Sequence, residues 1–126
     1  MNIYVATRGN MVGMVLTGTH NQIYHYKAFK TQTKDAEAQT ILATQMAVAF
    51  ARNNDVLDAG NYINLYADKP VDLEKLQANE YLSRFNYPVT LKEPQTSGEE
   101  QRMLLANTEI DMEIRRSYMK AQELQK

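Results

Sequence analysis

Hydrophobic and polar positions alternate through the first thirty residues, change to a longer period, and then alternate again. Residues 2–6 and 11–17 are mostly apolar and flank Arg8, Gly9 and Asn10, residue types that suit a tight hairpin turn. A second turn, Gly18 to Asn21, leads into residues 22–30. There Ile23, His25, Lys27 and Phe29 fall on one side, and Tyr24, Tyr26 and Ala28 on the other. Three strands linked by short turns predict an antiparallel meander. From Asp35 to Arg52 the period lengthens, with apolar residues at Ala38, Ile41, Leu42, Met46, Ala49 and Phe50, the spacing of a helix with a broad buried face. Asp35 suits its N-cap, and Glu37 falls in its first turn. Residues 53–61 form a loop to a short apolar strand over 62–68, whose lack of alternation fits a central, doubly covered position. Pro70 opens a second helix over 71–83, with Val71, Leu73, Leu76 and Leu82 inward. Residues 87–93 read as a fifth strand, the stretch Pro94 to Gly98 as the clearest break, and residues 99–125 as a terminal helix.

The element order is therefore βββαβαβα. A helix between the third and fourth strands is long enough for a crossover, so the fourth strand is expected to run parallel within the sheet. The expected fold class is α/β, a mixed five-stranded sheet covered by helices. No internal repeat appears, and 126 residues suit a single domain spanning 1–126.

Composition narrows this picture only a little. The 126 residues include no cysteine, which excludes disulfides and thiolate metal ligands and fits a reducing, cytoplasmic setting. No apolar run approaches the roughly 20 residues of a membrane span, and no secretory leader is visible. A net charge of −1 argues against a strongly basic surface but leaves room for local ones. Lys27, Lys30 and Lys34, and later Arg115, Arg116 and Lys120, could form basic edges for phosphates, or simply solvated faces.

Three acids occupy positions that this layout could bring together: Glu37 in the first helix, Asp68 at the carboxyl end of the fourth strand, and Asp111 in the terminal helix. Ligands of open α/β sheets gather at the carboxyl ends of parallel strands. Converging carboxylates there would suit Mg²⁺ or Mn²⁺, and two such ions about 4 Å apart would clamp a phosphodiester. Each acid also has a plain structural reading. Glu37 complements a helix dipole, Asp68 caps the following helix, and Asp111 belongs to a solvated helix face.

In this order the stretches resemble the ribonuclease H family, in particular its compact bacterial and plant-type members. Residues 3–16 look like its opening hairpin, and 34–51 its helix with an N-x-A-E type motif. Residues 63–76 resemble the strand ending in Asp-Ser, and 106–122 are similar to the terminal N-x-x-A-D helix, mainly through Asn107 and Asp111. The resemblance implies a domain that recognises RNA–DNA hybrids and hydrolyses the RNA strand with two Mg²⁺ ions, using Glu37, Asp68 and Asp111 as catalytic and metal-binding acids. Ala6 then stands where the family has its first, metal-bridging aspartate. Lys69 replaces the usual serine, the loop before the terminal helix holds no histidine, and no basic handle fits between Pro70 and Tyr87. Without the bridging carboxylate, the remaining three would hold one Mg²⁺ or Mn²⁺ ion, or none; His20 or His25 could be proposed as a substitute base, but a half-exposed strand histidine is the commoner case.

The expected function is a ribonuclease H-like nucleic-acid-binding protein with a degenerate two-metal site, catalytically impaired as it stands. It would bind RNA–DNA hybrid or single strands, with Lys27, Lys30, Lys34, Arg115 and Arg116 as phosphate contacts. One alternative is a true hybrid endoribonuclease carrying an inactivating Asp-to-Ala exchange at Ala6. Another is a non-catalytic module on the same fold that binds a protein partner. No membrane role is expected.

Overall fold

A computed structural model describes residues 1–56 and 61–125. Three strands, β1 (Asn2–Arg8), β2 (Met11–Thr17) and β3 (Ile23–Lys30), precede the helix α1 (Ala36–Asn53). Then follow β4 (Ile63–Ala67), α2 (Leu73–Gln77), α3 (Glu80–Phe85), β5 (Val89–Lys92) and the long α4 (Ser97–Leu124). The five strands form one sheet in the order β3-β2-β1-β4-β5. β1 pairs antiparallel with β2, as β2 does with β3, whereas β4 runs parallel to both β1 and β5. The mixed sheet expected from the meander and crossover is therefore present. Its geometry brings the carboxyl ends of β1, β3, β4 and β5 to one end of the molecule, together with the start of α1.

The hairpin turns as its residue types require. Gly9 adopts φ +59° between the paired Arg8 and Met11, a conformation that side chains rarely tolerate. β1 runs on through Thr7 and Arg8, so Ala6 lies within the strand rather than at its end. On the α1 face, Ile3, Val5, Met14, Leu16 and Leu65 pack with Ala43, Ala47 and Ala51. On the α4 face, the alternate residues Tyr4, Ala6, Val15 and Tyr66 pack with Ala106 and Ile110.

The buried stripe of α1 differs from the expected one. Gln39, Thr40, Ala43, Thr44, Ala47, Val48 and Ala51 are buried, whereas Ala38 and Leu42 are exposed. Small side chains at i, i+4 and i+8 let the helix axis approach the sheet, and the larger Ile41, Met46 and Phe50 pack around that contact. The single helix expected over 71–83 is two. Asp72 caps α2 by accepting from the Glu74 N–H, and Asn79 caps α3 by accepting from the Leu82 N–H. An asparagine that satisfies the free donors of a new helix ends the old one. The order is thus βββαβααβα. Pro70 lies outside α2, since the chain needs three more residues to turn into it. The interior of the loop expected over 53–61 lies outside the described residues at 57–60.

α4 begins inside the break read at Pro94 to Gly98. The Thr96 hydroxyl accepts from the Glu99 N–H, and the Glu99 carboxylate accepts from the Thr96 N–H, closing a capping box. Glu99 also accepts from the Tyr66 hydroxyl at 3.1 Å, which ties the start of α4 to β4. Farther along, Gly13 of β2 lies directly beneath the Ala106 carbonyl, with no room for a Cβ. Gly13 is paired with Ala6, so the crossing of α4 over the sheet is made of Ala6, Gly13 and Ala106. Among the described residues, no helix is long and apolar enough to cross a membrane.

Candidate functional site

The three acids lie where the topology promised, toward the carboxyl end of the sheet, but each is engaged by its own partners. Asp68 follows the last residue of β4. Its N–H donates to the Val5 carbonyl, continuing the ladder, and its carboxylate then takes the place of a backbone acceptor. The Thr7 N–H donates to both carboxylate oxygens at 3.2 and 3.1 Å, and the Thr7 hydroxyl donates to Oδ1 at 3.3 Å. The ammonium of Lys69 closes the group, donating to the Thr7 carbonyl at 2.7 Å and to Asp68 Oδ2 at 3.3 Å. Asp68 therefore caps the end of β1. The helix N-cap expected of it is supplied by Asp72 instead.

Glu37, in the first turn of α1, reaches across to the next helix. Its Oε2 accepts from the Asp72 N–H at 2.8 Å, and its Oε1 accepts from Lys75 Nζ at 2.9 Å. Lys75 and the Asp72 N–H hold the Glu37 carboxyl below its ordinary value of 4.5, and Glu37 in turn raises the Lys75 ammonium. Since the folded value is depressed, the contribution to stability is present above the unfolded value and is lost as pH falls through the folded one. Glu37→Gln should therefore unfold more readily than the parent at neutral pH, with the two stabilities converging below about pH 4. Urea unfolding across pH 3–7 checks this, and a gap that is constant with pH would contradict the assignment.

Asp111 lies in α4 and is ion-paired with Arg8, the last residue of β1. The other guanidinium nitrogen, Nη2, donates to the Asn107 carbonyl at 3.4 Å. The two α4 residues that carry the sequence resemblance are thus both tied to one arginine.

Ala6 shares none of these contacts. It is 0 % exposed and packs against the α4 side, among Tyr4, Val15, Tyr66, Ala106 and Ile110. The β1 side chain that meets Asp68 is Thr7, a hydroxyl. An open cleft of about 470 Å³ beside Asp68 is lined by Ala67, Lys69, Pro70, Val71, Leu91 and Lys92, and it includes neither Glu37 nor Asp111.

This donor set does not fit a two-metal centre. Position 6 supplies no oxygen, and the Asp68 oxygens are taken by Thr7 and Lys69. Among the described residues, no three Asp, Glu, His or Cys side chains stand close enough to hold one ion. A divalent cation needs several hard oxygens at 2.0–2.6 Å, and would have to displace an ammonium or guanidinium from each acid.

The basic residues divide into two groups. Arg116 is committed to Glu113 at 3.1 Å and Glu109 at 3.7 Å, and the Lys27 ammonium lies 5.6 Å from the centre of the Phe29 ring. Lys30, Lys34 and Arg115 form no ion pair among the described residues. His25 stacks on Phe50 at 4.0 Å, and burial together with Lys27 lowers its pKa. His20 is exposed in the β2–β3 turn, away from the acids. Sequence reasoning passed over Thr7, Arg8 and Lys75. Arg8 and Lys69 had a visible signal, each being a cation at the carboxyl end of a central strand.

No family model matches the sequence, and no curated protein is significantly similar to it. Solved structures do match. The crystal structure of RNase H1 from the halophilic archaeon Halobacterium salinarum NRC-1 aligns with a TM-score of 0.52 at 20% identity, over 87% of this chain and 95% of that one. LC11-RNase H1, isolated from compost by a metagenomic approach, aligns with a TM-score of 0.46 at 15% identity, over 90% and 95% of the two chains. The archaeal enzyme establishes a likeness of fold: this chain has a ribonuclease H-like fold.

Proposed function

We propose that this chain is a ribonuclease H-like nucleic-acid-binding domain in which internal cations stand in place of divalent ions. One observation carries the reading. Glu37, Asp68 and Asp111 are each neutralised by a basic side chain of the same chain: Lys75, Lys69 and Arg8. Such pairs hold the carboxyl end of the sheet together without metal. With these partners in place, Glu37, Asp68 and Asp111 are not free to recruit an ion or to activate water.

Binding would then rest on Lys30, Lys34 and Arg115, which form no ion pair among the described residues. Lys30 ends β3 and Lys34 precedes α1, both at the same end of the sheet as the three acids, and Arg115 follows Asp111 in α4. Phosphate contacts of this kind give affinity without base selectivity and weaken steeply with salt. The preferred ligand is an RNA–DNA hybrid or a single strand.

Fluorescence anisotropy with labelled hybrid, duplex DNA and single-stranded RNA tests this. Replacing Lys30, Lys34 and Arg115 together by alanine should weaken binding at least tenfold and lower the salt slope by about one for each phosphate no longer neutralised. Absence of binding to every strand at low salt would favour a protein-binding module.

A further inference from the structure

α4 outruns the sheet that supports it. Its inner face carries Ala106 and Ile110, both fully buried. From residue 111 to 125, every residue except Glu113 is exposed. One stripe nevertheless stays apolar or small, continuing from Ile110 through Ile114, Ser117, Ala121 and Leu124 at alternating spacings of four and three. That is the seam of a coiled coil, with Tyr118 beside it. Ile114 is 47 %, Tyr118 63 % and Leu124 89 % exposed.

We infer that this arm pairs with the same arm of a second copy, antiparallel, about a two-fold axis near Ser117. The charges beside the seam select this occupant. Glu113 and Lys120 lie on one flank, seven residues apart. In an antiparallel pair like flanks meet, so Glu113 faces Lys120 of the second copy, and the two-fold repeats the contact. A parallel pair would instead place both against the opposite flank, where Tyr118 and Gln125 lie. Within one chain, Glu113 shares Arg116 with Glu109, so it can turn to Lys120 of the second copy while Arg116 keeps a carboxylate. Ser117 and Ala121 are small enough for the two backbones to approach closely. The arm is already helical and continuous with the anchored part of α4, so pairing does not bear the full cost of nucleating a short helix.

Sedimentation equilibrium on the full chain tests the inference. The expected result is a concentration-dependent mass rising toward twice 14.5 kDa. Ile114→Glu should abolish the rise, and Lys120→Glu should weaken association at least tenfold. Adding Glu113→Lys to Lys120→Glu should restore it, because the exchanged charges again meet their opposites. Far-UV circular dichroism of each variant should match the parent, since these residues lie beyond the part of α4 that packs on the sheet. A monomer at every concentration, or a dimer indifferent to Ile114→Glu and Lys120→Glu, would overturn the proposal. So would failure of the double reversal to restore association.

Discussion

Gly13→Val should cost about 3 kcal/mol or more of stability and lower the midpoint of thermal unfolding by about 10 °C. The collision is with the Ala106 carbonyl, a backbone group of α4 that cannot rotate aside as a side chain would. Relief requires the helix to lift from β2. Lifting it would strip cover from Ile110 and from the Tyr4–Tyr66 stack, whose ring centres are 4.4 Å apart. It would also strain the hydrogen bond from Tyr66 to Glu99 at the start of the helix. Gly13→Ala meets the same carbonyl with its one added carbon and should cost about 1–3 kcal/mol. Paired urea and thermal unfolding curves measure both. If Gly13→Ala lies within about 0.5 kcal/mol of the parent, α4 does not sit this close to the sheet.

Ala6→Asp should be at least as damaging, by a different route. The new carboxylate would be buried among Tyr4, Val15, Tyr66, Ala106 and Ile110, and the next cation on that face of β1, Arg8, is already paired with Asp111. An uncompensated buried charge costs about 3–5 kcal/mol, a large fraction of a small domain's total stability. Burial would raise the new carboxyl's folded pKa above its unfolded value of about 4, so the electrostatic penalty is fully present above the folded value and shrinks as pH falls from there toward about 4. The substitution should gain no hydrolytic activity, since the side chain facing Asp68 is that of Thr7. The experiment pairs urea unfolding at pH 7 and pH 4 with hybrid cleavage in Mg²⁺. A variant as stable as the parent that cleaves hybrid would make Ala6 a missing catalytic group rather than a packing residue.

The strands are readable because their signals are local. The hairpin's Gly9, the alternation in β3 and the apolar run of β4 each declare themselves within a few residues. Asp68 is likewise found at the carboxyl end of a parallel strand, where the fold places it. What escapes is decided over long separations. Glu37 meets Lys75 and Asp111 meets Arg8 only after the sheet has closed, and no spacing along the chain reports such pairs. The split between α2 and α3 turns on Asn79 capping a new helix, a choice that periodicity alone does not register. The buried stripe of α1 is misjudged because large apolar residues draw the eye, whereas a helix lying close to a sheet uses alanine and threonine. Ala6 carries two readings. As a gap in a motif it suggests lost chemistry, and beneath α4 it is a small residue at a tight crossing.

The measurement closest to the central claim is divalent-ion dependence in the unmodified chain. Purified protein would be melted, and incubated with RNA–DNA hybrid, in EDTA, in millimolar Mg²⁺ and in millimolar Mn²⁺. An ion that binds the folded state selectively must raise its melting temperature, so the two readouts test the same site. With Lys69, Lys75 and Arg8 already at the carboxylates, the expected result is the same melting temperature in all three buffers and no cleavage above background. An increase in melting temperature with Mg²⁺ or Mn²⁺, accompanied by cleavage that Asp68→Asn abolishes, would contradict the account.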